Sequence, residues 1–271
     1  MSKFAESVFA AGLTFVVIFF AFHPHATTLV SAGNTVRNPV VVELFTSEGC
    51  SSCPPADLLL QKLVQQQPIA DAEVIALEEH VDYWNHDGWV DPYSSSLWTD
   101  RQQRYAAVFK DDPYTPEAVV NGRIPFVGNN RREAETEIEK AAGGLKTEVR
   151  ITPLSTDEKG SERFHVSVEK LEGNAAGDVA EVWLAVTEDG LHSAVSRGEN
   201  AGHVLQHVAT LRSLGKIGIA DAQHEASPSF SGDALVKFNP NWKAENLRVA
   251  VFVQERKSRE IVGAASTRIK G

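Results

Sequence analysis

Hydrophobic and polar positions follow two different rhythms along this chain, and the change falls near residue 146. Residues 40–45 (VVVELF) are a short β-branched run closed by turn residues at 46–49, which predicts a buried strand. Pro54 and Pro55 are tolerated only in a first helical turn, and Ala56, Leu59, Leu60, Leu63 and Val64 then recur at helical spacing. Residues 74–80 (VIALEEH) read as a second strand, and the crossover before them is long enough to make it parallel to the first. Asp91-Pro92 is expected to start another helix, with Trp98, Arg101, Tyr105 and Phe109 on one stripe. Asn121-Gly122 between extended segments signals a two-residue hairpin turn. A last helix is expected from Arg131 to Ala142, opened by Asn130 with Glu133 and stopped by Gly143-Gly144.

From Lys146 onward the period is two. Strands are expected at 147–152, 163–169, 181–187, 204–211, 234–238, 247–254 and 261–265. Turn-rich segments such as 173–174 and 188–190 divide them, which favours an antiparallel sandwich. The N-terminus fits neither rhythm. Residues 7–22 carry no charge, follow Lys3 and end at His23-Pro24-His25. A spanning helix needs about 20 apolar residues, so this shorter run reads as the core of a signal peptide. Val30-Ser31-Ala32 offers small residues for cleavage before Gly33; the rival is an uncleaved anchor with a linker to about Arg37. On either reading the folded part is periplasmic or secreted, and it touches membrane only if the segment stays on. The organisation expected is a signal at 1–33, an α/β domain at 38–145 and a β-sandwich domain at 146–271.

Composition narrows the class. A hydrophobic content of 42% with only 19 Gly and 12 Pro excludes a disordered or collagen-like chain. With 36 acidic against 26 basic residues and no long basic run, nucleic acid and anionic membrane are poor partners.

The chemistry rests on the two cysteines, Cys50 and Cys53, in a Cys-Ser-Ser-Cys motif. So close a pair closes too short a loop to add much stability. It falls where a strand turns into a helix, and a helix N-terminus favours thiolate through its partial positive charge and unpaired N–H groups. Cys50 is then the attacking thiol and Cys53, one turn in, the resolving one. Ser51 and Ser52 offer donors to the Cys50 sulfur, and Glu48 would oppose the thiolate if its carboxylate points that way. The competing reading is an inert surface disulfide.

These residues also carry a resemblance. A cysteine pair after the first central strand, then Thr115-Pro116 before a hairpin and a last helix, resembles the thioredoxin fold. More closely, residues 41–57 (VVELFTSEGCSSCPPAD), with HVDYW at 80–84, YTP at 114–116, VVNGR at 119–123 and RGENAG at 197–202, are similar to a family of exported bacterial thioredoxin-like proteins catalogued only as a domain of unknown function (family twelve twenty-three). The resemblance implies a thioredoxin-like domain followed by the all-β sandwich. It implies Cys50 and Cys53 as the redox pair, Pro116 as a cis-proline facing them, and Thr115 offering backbone groups to an extended substrate. Two departures stand out. Gly49 replaces the tryptophan before the first cysteine, and Leu44 occupies the strand position where thioredoxins bury an acid. Glu43 is one residue off, hence on the opposite face.

His80 ends the second strand at the same sheet edge as Cys50. It would stabilise the thiolate, shuttle a proton, complete a Cys50/Cys53/His80 site for copper or zinc, or be a hydrogen-bonded loop histidine. The loop at 82–89, with Tyr83 and Trp84, is a candidate recognition surface. Residues 197–202 with His203 and His207 are taken as a structural loop. No phosphate loop, nucleophile-elbow serine or HExxH motif occurs. The function expected is thiol-disulfide exchange on envelope protein thiols and disulfides, with no cofactor beyond the cysteine pair. The alternatives are copper or zinc binding and delivery, and a non-catalytic envelope interaction protein.

Overall fold

The computed structural model describes residues 37–145, 147–155, 159–171, 178–221 and 228–269; the expected signal segment and the turn at 173–174 lie outside them. Strand β1 (Asn38–Thr46) runs into helix α1 (Pro54–Gln66), followed by β2 (Ala72–His80), α2 (Ser96–Phe109), the hairpin β3 (Glu117–Val120) and β4 (Ile124–Val127), and α3 (Arg131–Ala141). Strand β2 is parallel to β1, as the crossover requires, and β3 is antiparallel to β1 on its other side. Asn130 caps α3 reciprocally with Glu133, its Oδ1 taking the Glu133 N–H and its Nδ2 donating to the Glu133 carboxylate. The remainder is β5 (Val149–Leu154), β6 (Ser161–Val168), β7 (Ala180–Glu188), β8 (Leu191–Ala194), β9 (Val204–His207), β10 (Thr210–Ala220), β11 (Phe230–Lys237), β12 (Leu247–Glu255) and β13 (Ile261–Arg268).

The expected fold class, a thioredoxin-like domain followed by a separate sandwich, is corrected by the way the strands join. One mixed eight-stranded sheet runs β13-β12-β7-β10-β2-β1-β3-β4, so the two halves share a single layer. Of the described residues 43% are strand and 19% helix, which makes the protein mostly β. The seam is the edge of β2. Thr210 pairs in parallel with Glu78, and the Glu78 N–H donates to Ala209 O at 2.9 Å. An unpaired β2 edge would leave buried backbone groups without partners; β10 meets it at Glu78, and the Gln67 side chain takes both the N–H and the carbonyl of Val74. All described residues accordingly fall in one compact unit. A three-stranded sheet, β11-β6-β5, covers the far end through a core of Phe164, Val166, Val182, Val249 and Val251.

Three local expectations are also revised. Helix α2 begins at Ser96 behind the cap Ser95, because Asp91 spends its carboxylate elsewhere. The stretch 204–211 breaks at Ala209, whose positive φ turns β9 into β10. The Asn121-Gly122 hairpin spans three loop residues, since Val120 pairs with Ile124. Among the described residues no helix is long and apolar enough to cross a membrane.

Alternation along β1 sorts the core. Val40, Val42 and Leu44 face α1 and α3, while Val41, Glu43 and Phe45 face α2. The register sets Leu44 beside Glu78 and Thr46 beside His80, so Glu78 and His80 look toward the α1 side. Glu79 goes to the opposite side, with Glu43, Arg101 and Tyr105.

Candidate functional site

The turn that ends β1 delivers both cysteines to the start of α1. The Cys50 N–H donates to Ser47 O at 3.1 Å and the Cys53 N–H to Cys50 O at 3.2 Å. Cys53 is the N-cap, and the prolines that follow have no N–H to leave unpaired. A disulfide joins Cys50 to Cys53, with the Cα atoms 5.5 Å apart. Both cysteines are closed off from solvent, Cys50 at 1% and Cys53 at 0% exposure, whereas Ser51 and Ser52 are exposed. The Ser52 hydroxyl lies 3.3 Å from Cys50 Sγ.

Three segments meet this turn. The Thr115–Pro116 peptide is cis, with Thr115 O 4.0 Å from Cys50 Sγ. The Trp84 indole N–H donates to Thr115 Oγ1 at 2.8 Å, and Trp84 also packs on Gly49. A Cβ on residue 49 would come within 3.0 Å of Trp84 Cβ, which accounts for glycine before the first cysteine. Residues 197–202 complete the cover. Glu199 Oε2 accepts the Ser51 N–H at 3.0 Å, and buried Asn200 donates through Nδ2 to Glu48 O (2.9 Å) and Cys50 O (3.0 Å). Gly198, at φ +75°, rests on Asp87 O and Trp89 where a side chain would be crowded. The loop expected to be structural is therefore part of the site.

Beneath the disulfide lies a buried set of acids and imidazoles. His80 Nδ1 is 2.7 Å from Asp91 Oδ2, which also accepts the Glu48 N–H at 2.8 Å. His207 comes from the end of β9, with Nε2 2.9 Å from Glu48 Oε1 and Nδ1 3.4 Å from Glu78 Oε1. Thr210 Oγ1 donates to Glu78 Oε2 at 2.8 Å. Trp89 Nε1 donates to Glu48 Oε2 at 2.8 Å, so both oxygens of the carboxylate suspected of opposing the Cys50 thiolate are engaged by Trp89 and His207. Asp57, on the first turn of α1, accepts the Thr46 hydroxyl at 2.7 Å.

Opposite charges decide most protonation states here. Burial alone would push Glu78 up and the imidazoles down. Against it, the charge of His207 holds Glu78 down to about 2, the charge of Glu78 carries His207 up to about 10, and Asp91 holds His80 well above its usual range. Asp57 goes the other way. Burial and the neighbouring Glu78 charge raise it to about 7. On the α2 side, Arg101 offsets burial and holds Glu43 low, while burial and the Glu43 charge raise Glu79 well above the usual carboxylate range.

Of the residues singled out by sequence, the structure gathers Cys50, Cys53, Thr115, Pro116 and Trp84 in one place. Tyr83 stands beside Trp84 at the edge of this place, its hydroxyl donating to Gln102 Oε1 at 3.1 Å and interacting with the Thr115 side chain. His80 lies under the turn but keeps other company. Among the described residues, the group of His, Cys, Asp and Glu ligand atoms within 4.8 Å of one another is Glu78, His80 and His207, with neither cysteine. Asp57, Glu78 and Asp91 were not anticipated as site residues, and His207, read with the 197–202 loop as structural, belongs to this set as well. Only Asp57 left a readable signal, standing four residues after Cys53 on the same helix.

Comparison with known proteins finds relatives over most of the fold and assigns it no chemistry. A family model described as "Protein of unknown function (DUF1223)" matches residues 41–254. The crystal structure of protein AGR_C_4864 from Agrobacterium tumefaciens is similar at 26% identity and a TM-score of 0.61, over 87% of this chain and 95% of that one. HBP35 of Porphyromonas gingivalis shares the fold at 15% identity and a TM-score of 0.59, over 86% of this chain and 76% of that one. No curated protein matches the chain.

Proposed function

From the premise that the chain belongs to the DUF1223 family of proteins of unknown function, we propose that it is an exported thiol-disulfide oxidoreductase acting on protein thiols and disulfides of the cell envelope. One observation carries this reading: the Cys50–Cys53 disulfide stands at a helix N-terminus, with Thr115-Pro116 against Cys50 and a buried acid, Asp57, one turn behind Cys53. Export rests on the uncharged run at 7–22.

The exchange is written from the oxidised state. A substrate thiolate attacks Cys50 Sγ, the Cys50–Cys53 bond breaks, and Cys53 leaves as thiolate and takes the proton of the Asp57 carboxyl. A second substrate thiolate then attacks the substrate sulfur of the mixed disulfide and releases Cys50. The substrate gains a disulfide and its two electrons pass to the cysteine pair; the two protons its thiols gave to solvent on ionising are matched by the two that solvent returns, one to Asp57 and one to the released Cys50 thiolate. In reverse, Cys50 attacks a substrate disulfide and Cys53 resolves the product. With Cys50 at 1% exposure, either direction first requires release of the Glu199 and Asn200 contacts.

The test is direct. The wild-type chain should catalyse reduction of insulin by dithiothreitol, and Cys53→Ala should trap a mixed disulfide through Cys50; failure of both removes the oxidoreductase reading. The same burial favours a second reading, a non-catalytic interaction protein whose disulfide pins the turn. A pair that resists reduction by glutathione and supports no exchange would establish it. The reduction potential of the couple sets the direction of exchange.

A further inference from the structure

The buried imidazole and carboxylate set under the disulfide has the composition and spacing of a metal centre. We propose that Glu78, His80 and His207 form a binding site for one divalent first-row transition ion, zinc being the natural occupant of an N₂O donor set. The site uses neither cysteine and does not depend on the redox reading.

Spacing is the first ground. Tetrahedral bonds of about 2.0–2.1 Å leave neighbouring ligand atoms about 3.3–3.4 Å apart. His80 Nε2 is 3.4 Å from Glu78 Oε2 and His207 Nδ1 is 3.4 Å from the other oxygen, Oε1; one ligand atom from each of the three residues lies within 4.8 Å of the other two, so a small rotation of the Glu78 carboxylate and the rings closes the set on an ion. The two rings meet nearly at right angles, 4.6 Å between centroids, and do not stack across the site. Three protein ligands and one further position make a common zinc coordination.

The second ground is an atom without a partner. His80 is fully buried, and its Nε2 makes no hydrogen bond. Its other nitrogen is fixed by Asp91, so the free nitrogen is oriented toward Glu78 and cannot turn to water. This is the arrangement metal-bound histidines adopt, one nitrogen on the ion and the other on a carboxylate. His207 repeats it, with Nε2 on Glu48 and Nδ1 toward Glu78. Glu78 is itself steadied by the Thr210 hydroxyl.

Charge and access agree. Glu48, Glu78 and Asp91 face the two imidazoles in a region closed to water, and a divalent cation would supply the positive charge that the imidazolium protons supply without it. His207 borders a surface cavity of about 750 Å³ between α1 and the β8–β9 hairpin, lined also by Gln61, His192 and Gln206, and its side chain is closed to solvent, so an ion enters there only with local opening.

Titration of the untagged, chelator-stripped full chain with Zn²⁺ decides the matter, with Co²⁺ as its spectroscopic substitute. The disulfide is kept oxidised, and a Cys50→Ser/Cys53→Ser chain is run beside it. The expected result is one zinc bound per chain in both proteins, a rise in Tm with zinc, and tetrahedral Co²⁺ bands without sulfur-to-cobalt charge transfer. Asp91→Asn, which keeps a hydrogen-bonding side chain beside His80, should weaken zinc binding about 10- to 100-fold with an unchanged circular dichroism spectrum. Absence of stoichiometric zinc binding by the oxidised wild type overturns the proposal. So does binding that disappears with the cysteines, or an affinity indifferent to Asp91→Asn in a folded chain.

Discussion

The backbone N–H of Asp57 donates to the carbonyl of Cys53 at 3.2 Å, placing a buried carboxyl one helical turn behind the second cysteine. Thr46 of β1 holds that carboxyl, Glu78 and His80 of β2 and His207 of β9 act on it through their charges, and its value near 7 lets it give or take a proton at neutral pH. Asp57→Asn keeps an acceptor for Thr46 but moves no proton. Exchange should slow about 100-fold, and the inflection near pH 7 in the rate profile should vanish. Since Asp57 is raised in the folded state, its contribution to stability is complete below the ordinary aspartate range and is lost as pH rises through 7, so the variant should also gain stability at pH 8 relative to wild type. A slower enzyme with the same pH profile would make Asp57 structural only.

The 197–202 loop is bonded to the backbone of the cysteine turn on both sides of Cys50. Glu199 puts a carboxylate on the Ser51 N–H, a donor that a Cys50 thiolate would otherwise have near it, and Asn200 holds the carbonyls of Glu48 and Cys50. Glu199→Gln removes the negative charge and should lower the Cys50 thiol pKa in the reduced protein, read from iodoacetamide labelling against pH. Asn200→Ala removes the Asn200 donor from the buried Glu48 carbonyl and leaves Cys50 O with only the Cys53 N–H, at a cost of about 1–3 kcal/mol, and should speed reduction of the disulfide by dithiothreitol. Unchanged reduction rates in both variants would mean that the loop does not gate the bond.

What was legible in the sequence follows the range of each signal. The cysteine turn, the prolines of α1, the Asn130 cap and the hairpin at Asn121-Gly122 are fixed by neighbours a few residues apart, and each leaves a local pattern. The shared sheet leaves none. Residues 74–80 read as a buried strand whichever strand lies beside them, and the parallel pairing of Thr210 with Glu78 is written nowhere near either residue. The buried acids were obscured for a related reason. Glu78 and Glu79 are adjacent in sequence, yet the strand sends them to opposite faces and different partners, Glu78 to His207 and Glu79 to Arg101. Glu78 meets His207 across 129 positions, beyond any periodicity.

Glu117 gives a test of stability against pH away from the cysteines. It follows Pro116, is 3% exposed, and accepts Gln102 Nε2 at 2.7 Å; burial and the charge of Asp111 raise it to about 7. A carboxyl raised in the folded state contributes stability that is fully present below about pH 4.5 and lost as pH climbs through 7. Glu117→Gln keeps the amide contact without the charge. Its stability should match wild type near pH 4.5 and exceed it at pH 8 by on the order of 3 kcal/mol, at 1.36 kcal/mol per pH unit, with Tm rising accordingly. Equal Tm values at both pH values would show that Glu117 ionises freely.

The continuous sheet predicts a single cooperative unfolding transition for the described fold. Arg101 of α2 pairs with Glu43 of β1 and donates to Gln254 of β12 at 3.2 Å, while Gln254 also donates to Tyr105 at 2.7 Å. These groups are buried and cross from the first half of the chain to the second. Arg101→Met leaves the Glu43 carboxylate buried without its cation, which should cost about 3–5 kcal/mol. Because the network spans both halves, the loss should lower one calorimetric transition as a whole, with the van't Hoff and calorimetric enthalpies still in agreement. A chain ending at residue 145 would expose the β2 edge and strand the Glu43 cluster, and it should fail to give the near-ultraviolet circular dichroism of the intact protein. Two resolved transitions, only one of them moved by Arg101→Met, would show that the halves fold independently despite the shared sheet.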